Sequence, residues 1–63
     1  MLFQDLLDVL ASQDEEVCLK VICNGDVLRG DRYYDYVYTD FARYYVDSIQ
    51  NDIEYLIIVI IAE

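Results

Sequence analysis

The run Ile53-Glu54-Tyr55-Leu56-Ile57-Ile58-Val59-Ile60-Ile61-Ala62 is apolar on both of the faces that an extended chain presents. Successive side chains of a strand alternate sides, so Leu56, Ile58 and Ile60 oppose Ile57, Val59 and Ile61. A chain of 63 residues has little other material with which to cover both sides. Burying one such side chain is worth roughly 1.5 to 3 kcal/mol, so leaving three in water would cost a large part of the stability of so small a domain. The run therefore predicts a buried strand and self-association. A symmetric dimer, or a tetramer of dimers, would bury Tyr55, Leu56, Ile57, Ile58, Val59, Ile60 and Ile61 at the contact between copies.

The rest of the chain supplies one helix and three further strands. Leu2, Phe3, Leu6, Leu7 and Leu10 recur at the spacing of one helical face, with Asp5 and Asp8 between them. Ser12 to Glu16 reads as a polar loop. Val17 to Cys23 is rich in β-branched residues and runs into Asn24-Gly25, the strongest hairpin signal present, with Val27 to Arg29 returning. Asp31 to Arg43 is ambiguous: Tyr34, Tyr36 and Tyr38 alternate as in a strand, while Tyr33, Val37 and Phe41 keep a helical spacing. An irregular segment with a short helix near Thr39 to Arg43 fits both patterns. Tyr44 to Gln50 reads as a third strand, Asn51-Asp52 as a turn and Ile53 to Ala62 as the fourth strand. The predicted fold class is α+β, an N-terminal helix packed on a small, mostly antiparallel four-stranded sheet.

With 57% hydrophobic residues, two glycines and no proline, residues 1–63 form a single domain without room for a linker or low-complexity tail. At this length one core is barely sufficient, a further reason to expect association.

Thirteen acidic and four basic residues give a net charge of −9. Phosphate-backbone binding is driven by Lys and Arg, so direct, metal-free DNA binding is disfavoured. A basic protein surface is the complementary partner. Cys18 and Cys23 point to opposite faces of one predicted strand, which prevents a bridge between them and makes both small buried hydrophobes. No histidine and no C-x-x-C pair are present, so no zinc site is expected, and two thiols fit a reducing compartment. Met1-Leu2-Phe3-Gln4-Asp5 lacks a basic leader, and the C-terminal run is about half of the ~20 apolar residues of a membrane span. A soluble, cytoplasmic protein is the expectation.

Two segments could carry recognition or chemistry. Asp31, Tyr33, Tyr34, Asp35, Tyr36, Tyr38 and Asp40 interleave carboxylates with tyrosine rings. Charges spaced like phosphates, beside flat rings that lose little entropy on contact, suit a DNA-mimicking or protein-docking face. Asp14, Glu15 and Glu16, with Asp5 or Asp8, are the second candidate: carboxylates can hold Mg²⁺ and assist phosphodiester hydrolysis. Adjacent acids in a loop are ordinarily only solvated, and no histidine is present as a ready general base. Ser12 and Ser48 have no triad partner.

Leu2-Phe3-Gln4-Asp5-Leu6-Leu7-Asp8-Val9-Leu10, then Gly25-Asp26-Val27-Leu28 with Gly30, Val46-Asp47-Ser48-Ile49, and the alternating Leu56, Ile58 and Ile60 resemble small acidic proteins of phages and integrated mobile elements in gut bacteria. Some of that group look like anti-CRISPR proteins that impair Cas9. The resemblance implies an anti-defence protein whose partner is a nucleic-acid-binding enzyme such as Cas9, and it carries no catalytic motif. Alternatives are a metal-dependent protein that nicks or relaxes plasmid DNA through the acidic loop, and a purely structural oligomer.

Overall fold

The computed structural model describes residues 1–13 and 17–62. Helix α1 (Phe3–Ser12) is followed by β1 (Leu19–Cys23), β2 (Asp26–Val27), two short 3-10 turns (Tyr33–Asp35 and Asp40–Arg43), β3 (Tyr45–Asn51) and β4 (Leu56–Ile61), an α+β arrangement with sheet order β2-β1-β4-β3.

Phe3, Leu6, Leu7 and Leu10 form the buried stripe of α1, and Asp5 in its first turn complements the positive end of the helix. Leu2 enters in an extended conformation, and the Gln13 N–H donates to the Val9 carbonyl at 3.2 Å as the helix ends. The helix lies on one face of the sheet, over Leu19, Val21 and Cys23 of β1 and Ile58 and Ile60 of β4. Asn24 and Gly25 both take positive φ, 54° and 83°, as the expected two-residue hairpin requires. The returning strand is shorter than Val27 to Arg29, but the chain stays beside β1. The Leu28 N–H donates to the Val21 carbonyl at 2.8 Å, and the Leu19 N–H to the Asp31 carbonyl at 2.7 Å.

The sheet is mixed. The β1–β2 and β3–β4 pairings are antiparallel, whereas β1 and β4, the central pair, run parallel with Leu19 beside Leu56 and Cys23 beside Ile60. A parallel neighbour demands a long crossover, which the residues between Cys23 and Leu56 provide. A strand flanked on both edges is also the place where a nearly continuous apolar run belongs.

β4 begins at Leu56 rather than Ile53. Ile53 is 99% exposed, in a turn where the Asp52 N–H donates to the Tyr55 carbonyl and the Ile53 N–H to the Asp52 carboxylate, both at 2.8 Å. β3 is shifted by one residue from the expected Tyr44 to Gln50, and a bulge falls between Val46 and Ser48.

Ile58 and Ile60 are fully buried within the single chain, because their face of β4 lies under α1, and Leu56 packs partly against the same core. Ile58 and Ile60 are thus core residues and not part of a contact between copies. Ile57, Val59 and Ile61 occupy the opposite face, in register with Lys20, Ile22 and Tyr45. The helix does not cover that face.

Candidate functional site

Between the sheet edge at Asp31 and the start of β3 the chain makes an excursion whose most deeply buried side chain is that of Tyr36. Tyr36 is 1% exposed, with its ring centroid 5.6 Å from that of Phe3, and its hydroxyl donates to the Gly30 carbonyl at 2.9 Å. Burial raises the Tyr36 pKa above its ordinary value of 10.0, and the charges of Asp35 and Asp31 add to the effect. The Thr39 hydroxyl donates to the Tyr36 carbonyl at 2.7 Å, fixing the chain beyond the ring.

The Asp35 carboxylate accepts two backbone N–H groups, from Asp31 at 2.8 Å and Arg32 at 3.0 Å. Those two bonds hold its pKa below the ordinary 3.8 against the opposing effect of desolvation, with a lesser contribution from the Arg32 charge. Asp40 pairs with Arg43 at 3.2 Å, both side chains almost fully in water.

The expected docking residues are therefore sorted into separate roles. Tyr38 is 98% exposed and Tyr34 54% exposed. Tyr33 is half-buried and meets Tyr34 edge to face at 5.3 Å. Asp31 is exposed at the margin of the sheet. Tyr36 does not belong to the docking face, because its ring is a core side chain. The alternation of Tyr34, Tyr36 and Tyr38 is carried by turns and not by a strand, with the middle ring turned inward.

A cavity of about 300 Å³ opens next to this excursion, lined by Lys20, Val27, Leu28, Asp31 and Tyr55 among others. The candidate residues read from the sequence do not include Lys20, although a lone cation between apolar neighbours on β1 is a signal that marks it.

Cys18 also departs from expectation. It is half-buried and its Sγ accepts a hydrogen bond from the Arg32 guanidinium at 2.9 Å, whereas Cys23 is the small buried hydrophobe that the sequence predicts. Both cysteines are free thiols.

Asp14, Glu15 and Glu16 lie outside the described residues. Among the described residues no three His, Cys, Asp or Glu side chains come together as a metal site. None of the described helices is long and apolar enough to cross a membrane.

No protein-family model matches this chain. Nor does any curated protein or solved structure.

Proposed function

We propose that this chain is a small interaction protein that docks on the basic, nucleic-acid-binding surface of an enzyme and impairs it, with a Cas9-type defence enzyme as the partner to which the sequence resemblance points. The observation that carries this reading is the pair Tyr34 and Tyr38. Two large rings stand in water on a segment whose middle residue, Tyr36, is anchored in the core. Holding rings out before contact lowers the ordering cost of binding, and aromatic side chains so placed are the usual anchors of protein interfaces.

The net charge of −9 supplies the long-range attraction toward a basic groove. Within the excursion the acids have other duties, since Asp35 closes a turn and Asp40 faces Arg43. Charge accordingly steers and tyrosine anchors. Interference follows from occupying a groove that nucleic acid would otherwise fill, and no catalytic step is required.

The test is binding to guide-loaded Cas9 over a salt series, for the parent chain and for a Tyr34→Ser/Tyr38→Ser variant. Affinity that falls steeply with salt, and is lost in the variant while its circular dichroism is unchanged, supports the reading. Absence of binding, or binding indifferent to both rings, overturns it. Chelator-sensitive nicking of a supercoiled plasmid, abolished by Asp14→Ala, would replace it with the hydrolytic alternative.

A further inference from the structure

We propose that the open edge of β3 pairs with the same edge of a second copy, antiparallel about a two-fold axis at Ile49. The proposal is independent of the docking function.

β3 is the outermost strand on its side of the sheet, and among the described residues only its first part has a partner beyond β4. There the Val46 N–H donates to the Met1 carbonyl and the Phe3 N–H to the Tyr44 carbonyl, both at 2.8 Å, with Leu2 bridged antiparallel to Tyr45. Met1, Leu2 and Phe3 thus lie along the first part of this edge. Asp47-Ser48-Ile49-Gln50-Asn51 continues beyond that cover, without the proline or lysine that commonly blunts an edge. The opposite edge, β2, is only two residues long.

The edge segment is complementary to itself. A two-fold at Ile49 sets Ile49 against Ile49, Ser48 against Gln50 and Asp47 against Asn51, with no like charges opposed. A two-fold at Ser48 would instead set Asp47 against Ile49. Ile49 also has a reason to pair. It lies opposite Ile58 and so on the α1 side of the sheet, yet α1 covers Ile58 completely and leaves Ile49 47% exposed. A twin side chain fills the place the helix does not reach.

The alternative contact, sheet face to sheet face through Ile57, Val59 and Ile61, is less favourable. Lys20 shares that face, beside Ile57 on the two inner strands, and stacking two copies would strip water from two ammonium groups.

The experiment is sedimentation equilibrium of the full chain over a concentration range, with disulfide trapping as a second measurement. The parent chain is expected at twice its 7.4 kDa mass. Ile49→Lys is expected to be folded by circular dichroism and monomeric throughout. In a Cys18→Ala background, Ile49→Cys is expected to give a covalent dimer under mild oxidation, since directly opposed residues of antiparallel strands lie within disulfide reach. Val27→Cys, on the far edge, is expected to give none. Added salt should strengthen the dimer by screening the repulsion between two acidic chains, the opposite of its effect on docking to a basic partner. A parent chain that stays monomeric, an Ile49→Lys variant that still dimerises, or failure of Ile49→Cys to crosslink would each overturn the proposal.

Discussion

The Tyr36 hydroxyl donates to the carbonyl of Gly30 at 2.9 Å, and Gly30 has no room for a side chain beneath that ring. A Cβ at position 30 would lie 2.9 Å from the Asp35 Cβ and from the Cζ and hydroxyl of Tyr36, and the backbone φ of +124° is one that L side chains rarely adopt. The two residues lock the excursion that carries Tyr34 and Tyr38 onto the margin of the sheet.

Removing either half of this lock should have unequal costs. Gly30→Ala combines backbone strain with a clash against a core ring, and is expected to lower the unfolding free energy by about 2–4 kcal/mol. Tyr36→Phe keeps the ring and loses one hydrogen bond, an expected loss of about 1 kcal/mol that leaves the Gly30 carbonyl short of a partner. Urea denaturation of the three proteins gives both numbers. A Gly30→Ala variant as stable as the parent would contradict the geometry.

The two perturbed groups of the excursion act at opposite ends of the pH range. Asp35 has a folded pKa below its ordinary 3.8, so the folded state prefers the carboxylate. Its contribution to stability is present in full above that ordinary value and is lost as pH falls through the folded value. Tyr36 has a folded pKa above 10.0, so the folded state prefers the neutral phenol. Its contribution is present in full below pH 10.0 and is lost as pH rises through the folded value. Denaturation midpoints should accordingly fall less steeply below about pH 4 in Asp35→Asn than in the parent. In Tyr36→Phe the decline above about pH 10 should be shallower. Parallel profiles for the variant and parent at either end would refute that assignment.

The pattern residues that locate the elements are those whose local signal and tertiary role agree. Phe3, Leu6, Leu7 and Leu10 repeat at helical spacing and are the buried stripe; Asn24-Gly25 demands positive φ and makes the hairpin. Leu19, Val21 and Cys23 alternate as a half-buried strand should. Ile53 misleads because an isoleucine beside an apolar run reads as strand, whereas Asp52 takes its N–H in a turn. The parallel central pair is not legible either, since strand direction depends on which strands become neighbours and not on their own composition. Tyr36 is hidden among six other tyrosines. What distinguishes it is Gly30, six residues earlier, whose missing side chain leaves space for the ring.

The two thiols offer a test of how firmly the sheet is closed. Cys23 points into the core at 6% exposure, while Cys18 lies half-buried at the entry to β1 under the Arg32 guanidinium. Under native conditions a thiol reagent should label one cysteine quickly and the second only at the rate of unfolding. Mass spectrometry of the labelled chain should identify Cys18 as the fast site. Arg32→Ala should raise its labelling rate by removing the covering side chain, and equal rates at both thiols would mean that β1 opens locally.

Burial and hydrophobicity come apart within the apolar C-terminal run. Ile58 is fully buried beneath α1, and Ile53 is 99% exposed, although both belong to the same stretch of sequence. Ile58→Ala removes a packed side chain and leaves a cavity, so an unfolding cost of about 2–5 kcal/mol is expected, enough to approach the whole stability of a domain this size. Ile53→Ala removes no packing within the chain and should shift stability by less than about 0.5 kcal/mol. Asp40→Ala, which breaks only the exposed pair with Arg43, should be similarly silent, because an ion pair in water gains little over its two hydrated partners. Urea titrations of the three variants at low protein concentration make the comparison. Should Ile53→Ala prove costly at high protein concentration and harmless at low, the exposed isoleucine would be covered by a second copy, and mass action on that contact would account for the difference.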